Sequence, residues 1–459
     1  MTELEQKESA LVKIHRVTAV LLLSFVLVGA TLVYWSVVQA EAILSREDNP
    51  RLAEAELRIQ RGQILDRNGI LLAETVGEPD SLDRVYPLAN SGPAVGYYSF
   101  RHGTAGIEEG FNDVLRGETD NLAEEVHRQL LHLPQIGQAV HLTLDATLQQ
   151  KAESLLPASP SALILLALED NNAQILALVS HPGYDPNLLD DAFETLTADE
   201  QAPLLNRVTQ GQYQPGRVLQ PFILAAVIDQ GAIAMRQPVE GAVEAVSLNG
   251  QVIECLSPPA LPATWSAVLQ HRCPAPMMTL GDQLGTSGLD QIFADFGLTQ
   301  PPELPLNTET PPLEPLADPL LAGIGQDNLL VTPLQVAFAW AALATDGRLP
   351  TPQLVMAVGD ETGSQLSPNA EAEAERTAVS PPTAQLMRLH MAQTDNILEH
   401  AVLALSGPEG ETDAWYLGMA PANAPRYALV IVMEATKDLS AVEEMGRALL
   451  AAAASSSDQ

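Results

Sequence analysis

Residues 206–221 of this chain read Asn-Arg-Val-Thr-Gln-Gly-Gln-Tyr-Gln-Pro-Gly-Arg-Val-Leu-Gln-Pro. The Pro215-Gly216 pair predicts a turn, and the apolar run after it predicts a helix over Phe222–Gln230 that ends at Gly231. Residues three apart share one face of a helix, so Arg217 and Gln220 are expected to point the same way. The segment therefore predicts a turn-to-helix junction that presents two polar side chains together.

This junction resembles the segment of class B penicillin-binding proteins that carries the catalytic nucleophile. In that family Asn-Arg and Tyr-x-Pro-Gly precede Ser-x-x-Lys-Pro, and here Asn206-Arg207 and the segment from Tyr213 to Gly216 are retained. The serine position is Arg217 and the lysine position is Gln220. Acyl transfer needs an activated nucleophile beside a base, but Arg217 only donates hydrogen bonds and Gln220 takes no proton near neutral pH. The resemblance thus implies a scaffold without its reaction.

The second and third motifs of the family depart from its pattern in the same way. The Ser-x-Asn motif corresponds to Arg272-Cys273-Pro274, which lacks both the hydroxyl and the amide. The Lys-Thr-Gly motif, sought ahead of the Ala-Trp-Tyr of residues 414–416, corresponds to Leu405-Ser406-Gly407. The resemblance implies that Tyr213, Gly216 and Trp415 line the cleft, and that no catalytic residue is intact.

Further segments carry the resemblance along the chain. Arg61–Ala73 resembles the long signature that opens the non-catalytic pedestal of the family, and its Asn68-Gly69 pair predicts a β-hairpin. The other matching segments are Gly96–Glu108, Val140–Ala152, His181–Asn187 and Gly323–Gln335.

The predicted fold class is α+β, with one N-terminal membrane helix, a small β-rich pedestal and a transpeptidase-like domain. By resemblance the last of these is an antiparallel sheet flanked by helices, with an all-helical subdomain. The predicted boundaries are 1–16 for a cytoplasmic tail, 17–38 for the anchor, 46–136 for a dimerisation-type pedestal and 140–455 for the transpeptidase-like domain.

Val17–Val38 is an uncharged stretch long enough to span a bilayer. Lys13, His15 and Arg16 precede it, which favours a cytoplasmic N-terminus and extracytoplasmic main domains in a single-pass protein of the cell membrane. A cleaved signal peptide is the alternative. The absence of a small-x-small cleavage pattern after the stretch favours a retained anchor.

The composition narrows the partners. The chain has 23 basic and 58 acidic residues in 459 and a formal net charge of −35, which argues against nucleic-acid binding. Neither the spacing of His127 and His132 nor that of Cys255 and Cys273 predicts a metal site, and no cofactor is expected. In an extracytoplasmic compartment the two cysteines are either bridged or buried as thiols, and the sequence leaves both open.

Three functions follow from these observations. The favoured one is an inactive transpeptidase homologue that acts as scaffold or regulator in peptidoglycan synthesis. By resemblance its partner is a polytopic peptidoglycan glycosyltransferase of the division or elongation machinery. The second is an active D,D-transpeptidase or penicillin-binding enzyme with a non-standard nucleophile such as Ser406 or Ser287. The third is a module that binds peptidoglycan stem peptides without acylation, where Arg217 pairs with a carboxylate; the competing expectation is an internal salt bridge that plugs the cleft.

Overall fold

The computed structural model describes residues 3–35, 56, 58–78, 81–118, 127, 131, 134–169, 171–309, 314–359, 376–407 and 410–456, with side chains from residue 15 onward. The chain divides into two compact units, Met1–Ile59 with Glu78–Leu82, and Gln60–Gly77 with Asp83–Gln459. The predicted border between a pedestal and a transpeptidase-like domain lies inside the second unit and stays a prediction.

The first unit contains helix α1, Glu3–Val33. Its segment His15–Val33 is long and apolar enough to cross a membrane by length and composition. The helix begins near the N-terminus, so the sequence expected as a polar tail continues directly into the apolar segment. Residues 36–38 of the predicted anchor and residues 46–55 of the predicted pedestal lie outside the described residues.

The remaining helices alternate with strands along the chain. The helices are α2 Gly92–Val95, α3 Ile107–Gly110, α4 Asn112–Arg116, α5 Ala146–Leu155, α6 Leu189–Ala198, α7 Gln220–Asp229, α8 Trp265–His271, α9 Ala275–Asp295, α10 Pro319–Ala322, α11 Pro333–Ala344, α12 Pro381–His390 and α13 Leu439–Ser456. The strands are β1 Ile64–Leu65, β2 Leu71–Glu78, β3 Ser81–Val85, β4 Gly96–Ser99, β5 Gly103–Gly106, β6 Ala139–Leu142, β7 Ser161–Glu169, β8 Asn172–His181, β9 Val246–Leu248, β10 Gln251–Ile253, β11 Arg348–Leu349, β12 Thr351–Gln353, β13 Val355–Gly359, β14 Arg376–Thr377, β15 Ala392–Thr394, β16 Ile397–Leu405, β17 Thr412–Ala420 and β18 Tyr427–Met433.

The predicted hairpin at Asn68-Gly69 is present, since β1 pairs antiparallel with β2. Both strands belong to a sheet of order β13-β6-β1-β2-β3. Beside it Glu108 is fully buried, and its carboxylate accepts from Arg61 at 2.8 Å and from Arg84 at 2.7 Å. Glu108 is therefore a structural residue, because two guanidinium groups surround its buried charge.

A seven-stranded sheet of order β12-β8-β7-β18-β17-β16-β15 forms the centre of the second unit. Successive side chains of a strand point to opposite faces. Accordingly Ile164 and Val430 pack in the cluster that contains α7 and α11, and Leu165 and Ile431 pack in the cluster that contains α13. Helix α11 begins with a capping box between Thr332 and Gln335, as its Thr-Pro start predicts. The sheet is thus covered on both faces, and the helices on one face carry the candidate site.

Candidate functional site: the cleft at Arg217

A short 3₁₀ helix, Gly216–Leu219, leads into α7 and brings the first motif against strand β16. The Gly216 amide donates to the Gly325 carbonyl at 2.9 Å. Gly216 has a φ of 53°, and a Cβ at this position would lie 2.6 Å from the Cβ of Ala404. Only glycine fits this left-handed turn at such close approach, so Gly216 fixes the distance between the turn and the strand.

Arg217 occupies the serine position of the family motif. Its Nη1 donates to the carbonyl of Glu254 at 2.9 Å and to that of Arg272. The expected internal salt bridge is wrong, because among the described residues Arg217 bonds to carbonyl oxygens and to no carboxylate. Its Nε is buried without a partner there. Burial, and secondly the positive charge of Arg272, lower the pKa of Arg217 to about 10.

Gln220 lies one helical turn beyond Arg217, as the spacing predicts. It is buried, and its Nε2 donates to the carbonyl of Val268 at 3.1 Å and to that of Cys273 at 3.5 Å. Its Oε1 has no partner among the described residues. The side chain that replaces the lysine of the family therefore binds the second motif and offers no base.

The second motif lies directly against the first. Arg272 is buried, ends α8 in a left-handed conformation with a φ of 54°, and its Nη2 donates to the carbonyl of Glu399 at 3.4 Å. Burial lowers the pKa of Arg272, against the opposing effect of Glu443 and Glu399. Pro274 caps α9. The second motif is thus a turn between two helices without a hydroxyl or an amide at the family positions.

Cys255 and Cys273 form a disulfide, which decides the alternative that the sequence left open. The bridge attaches the segment after β10 to the second motif. Two more contacts reinforce this attachment. The Leu256 amide donates to the His271 carbonyl at 2.8 Å, and the Ser257 hydroxyl lies 2.8 Å from His271 Nδ1.

On β16 the residue that contacts the first motif is His400. Its Nε2 lies 2.9 Å from the carbonyl oxygen of Arg217, so this nitrogen carries the proton and donates it. Burial, and secondly the charge of Arg272, lower the pKa of His400 to about 3. Sequence reasoning missed this residue, although its place in the strand that precedes Ala-Trp-Tyr was a signal that could have found it.

Leu405, assigned in the sequence to the lysine position, lies five residues further along β16 and at the opposite parity from His400. Ser406 follows the strand, and its hydroxyl is hydrogen-bonded to Asp413. Burial raises the pKa of that carboxyl. The geometry therefore places His400, and not Leu405-Ser406-Gly407, against the other two motifs. The second suggested nucleophile, Ser287, is exposed on α9.

A cavity of about 350 Å³ adjoins Arg217. Gly216 lines it as expected, together with Gln251, Val252, Ile253, Glu254, Cys255, Leu256, Ile324, Gln326, Leu403, Leu405, Gly410, Thr412, Lys437 and Leu439. The one hydroxyl in this set, on Thr412, donates to the Thr436 carbonyl at 2.8 Å. The lining is mostly apolar and contains no free nucleophile.

Tyr213 and Trp415 do not line this cavity. The Tyr213 hydroxyl donates to Glu434 at 2.8 Å, and the ring borders a neighbouring cavity that also contains Ser406. Burial, followed by the charge of Glu434, raises the pKa of Tyr213. Trp415 is fully buried, and its ring meets that of Tyr213 edge-on at 5.8 Å. The expected cleft position of Trp415 is therefore wrong, and its role is core packing.

The three motif positions thus come together as a closed, cationic joint. Two arginines and a neutral histidine occupy it. Among the described residues, no group of three or more His, Cys, Asp or Glu side chains forms a metal site. The joint can donate hydrogen bonds and attract an anion, but it supplies neither the activated nucleophile nor the base of acyl transfer.

Comparisons with known proteins agree with this architecture. The penicillin binding protein transpeptidase domain matches residues 163–398, and the penicillin binding protein A dimerisation domain matches residues 61–140. The chain is 29% identical to the peptidoglycan D,D-transpeptidase PbpA of Mycolicibacterium smegmatis over 96% of its length and 98% of the relative. It is 28% identical to PbpA of Mycobacterium tuberculosis over 95% and 97%.

Solved structures lead to the same family. The crystal structure of PBPA from Mycobacterium tuberculosis has a TM-score of 0.75 and 27% identity, over 86% of this chain and 99% of that one. The imipenem acyl-enzyme complex of penicillin-binding protein A from the same organism has a TM-score of 0.77 and 27% identity, over 87% and 99%. This chain belongs to the penicillin-binding protein family, with a class B type transpeptidase fold.

Proposed function

We propose that this protein is a catalytically inactive transpeptidase homologue that serves peptidoglycan synthesis as scaffold or regulator of a cell-wall glycosyltransferase. The observation that carries the proposal is Arg217 at the nucleophile position, hydrogen-bonded to two carbonyl oxygens. A permanent cation at this place cannot attack a carbonyl carbon. Gln220, Arg272 and His400 complete a joint in which no neighbouring group replaces the missing oxygen.

The scaffold role rests on what the chain retains. It keeps the family fold, the dimerisation-type region and one apolar N-terminal helix. We propose that the helix anchors the protein in the cell membrane with its N-terminus in the cytoplasm. The anchor and pedestal would then contact a polytopic glycosyltransferase, as the family resemblance implies. A fold can keep its partners after its chemistry is lost.

The deciding experiment is covalent labelling. The full chain in detergent is incubated with a fluorescent penicillin, digested and analysed by mass spectrometry, with PbpA of Mycolicibacterium smegmatis as the comparison protein. We expect no covalent adduct on this chain. A stoichiometric adduct would contradict the proposal, and the modified peptide would identify the nucleophile.

The double variant Arg217→Ser/Gln220→Lys is the matched control. We expect it to stay unlabelled as well, because Arg272, Pro274 and His400 still occupy the other motif positions. Labelling of this variant, with none of the native chain, would show that the first motif alone abolished the reaction. Either result leaves the native protein inactive.

An enzyme with a non-standard nucleophile is the second candidate, and one observation favours it. The Ser406 hydroxyl is hydrogen-bonded to Asp413, a carboxyl whose pKa is raised by burial. A serine beside such a base is one part of a nucleophilic site. An adduct on the peptide that contains Ser406, lost in Ser406→Ala, would establish this alternative.

A further inference from the structure

Arg217 lacks a counter-charge. Among the described residues its guanidinium forms no ion pair, and the nearest charged group is a second cation, Arg272. The Glu399 carboxylate, which is close to Arg272, is paired with Arg447 at 2.7 Å. Glu254 lies beside Arg217, but it offers its carbonyl and its side chain is exposed. Buried like charges without an anion are unfavourable, so this site would gain from binding one.

The open space beside Arg217 has the composition of a small-molecule site. The cavity of about 350 Å³ is walled by apolar side chains, among them Ile324, Leu403 and Leu405. Ligand sites combine such walls with a few polar groups and span about 300–1,000 Å³. The present cavity is near the lower limit, which suits a ligand the size of a dipeptide.

The charge at the rim agrees with an anionic ligand. Lys437 also lines the cavity and is exposed. In a chain of net charge −35, Lys151 and Lys437 are the only lysines after Lys13. A cationic cavity in an acidic protein attracts a small anion and repels most of the protein's own surface.

We propose that this cavity is a reversible binding site for a small organic carboxylate with an apolar body, whose carboxylate is held by Arg217 and Lys437. A planar guanidinium suits a carboxylate because both Nη2 and Nη1 can donate. The proposal deepens the inactive-homologue function and rests on it, because the residue that prevents acylation is the one that binds the ligand. The two are separable, since labelling tests covalent chemistry and the present experiment tests reversible binding.

The experiment is isothermal titration of the full chain in detergent with two probes and their neutral analogues. The probes are N-acetyl-D-Ala-D-Ala and N-acetyl-L-Ala-L-Ala, and the analogues are the corresponding C-terminal amides. We expect the acids to bind and the amides to bind at least tenfold more weakly. A preference for the D,D acid would indicate a cell-wall peptide as the source, and equal binding of both acids would indicate a general peptide carboxylate; both results support the site.

Two variants locate the binding. Arg217→Met should weaken the acids at least tenfold, whereas Arg388→Met is the matched control. Arg388 also donates to carbonyl oxygens, those of Leu343 and Ala344, and does not line this cavity. Leu405→Trp fills the cavity without changing Arg217, so it should abolish binding even if Arg217→Met does not fold.

Three results would overturn the proposal. The first is no binding of either acid at a concentration of about 10 mM, far above the millimolar dissociation constant of a weak specific ligand. The second is equal binding of acid and amide. The third is unchanged binding by folded Arg217→Met or by Leu405→Trp.

Discussion

At the scale of single residues, the lost motifs have become a set of structural contacts. Arg217, Gln220 and His400 each bind a backbone carbonyl of a neighbouring element. A hydrogen bond of this kind contributes about 1 kcal/mol, and more when the donor is charged. The residues at the former catalytic positions therefore stabilise the closed cleft.

His400 predicts a specific acid sensitivity. Its pKa in the native protein is about 3, because burial and the charge of Arg272 disfavour the imidazolium. The unfolded chain takes up the proton near pH 6.5, so stability is lost as the pH falls from there toward 3. From pH 7 to pH 5 this residue should account for about 2 kcal/mol of the loss in the free energy of unfolding.

The measurement compares urea unfolding of the native protein and His400→Gln at the two pH values. Glutamine keeps a donor for the Arg217 carbonyl and does not titrate, and the remaining groups are common to both proteins. We expect the pH-dependent loss to be smaller in the variant by the amount given above. Equal losses would show that His400 is not buried as a neutral side chain.

The sequence predicted the first motif well, because its residues are contiguous and follow a helical spacing. It placed Arg217 and Gln220 on one side of the junction. The third motif was harder, since Leu405 was chosen by its distance from Ala-Trp-Tyr. The pairing of strand residues with a distant turn depends on tertiary packing, which no local pattern records. The same holds for Trp415, whose burial depends on the sheet faces.

At the scale of elements, the disulfide and Arg217 join the same two segments. The bridge covalently connects Cys255 to Cys273, and Arg217 binds the adjacent carbonyls of Glu254 and Arg272. The segment after β10 is therefore held over the cleft by a covalent bond and by a charged side chain. The sequence predicted the helices and strands around this place but left the pairing of the two cysteines open.

Loss of the bridge should destabilise the protein measurably. A bridge with a sequence separation of 18 limits the unfolded chain, which corresponds to about 3 kcal/mol in the loop-entropy model. Urea unfolding with and without a reductant measures this difference. Cys255→Ser/Cys273→Ser is the control, because it should unfold like the reduced protein and ignore the reductant. A reductant effect of similar size in this variant would contradict the assignment.

At the scale of the whole molecule, the long apolar segment and the acidic surface predict different behaviour for the two units. His15–Val33 has the length of a membrane span, whereas the formal net charge of −35 suits an aqueous compartment. The full chain should remain in the membrane pellet after alkaline carbonate extraction. A variant without residues 1–35 should be recovered in the supernatant.

A full chain found in the supernatant would contradict the anchor, provided that its mass is intact. A chain shortened at the N-terminus would instead establish the cleaved-signal alternative. Replacement of residues 17–33 by an unrelated apolar span is the control, since it should restore the pellet fraction.

Gly216 illustrates how a motif can persist without a reaction. Its left-handed turn and its contact with Ala404 exclude any side chain, whatever residue follows it. Selection for folding alone is then sufficient to keep this glycine, while position 217 is free to change once acylation is no longer needed. Glycine at this place is thus evidence of descent, and a census of antibiotic targets based on it would count proteins that no β-lactam inactivates.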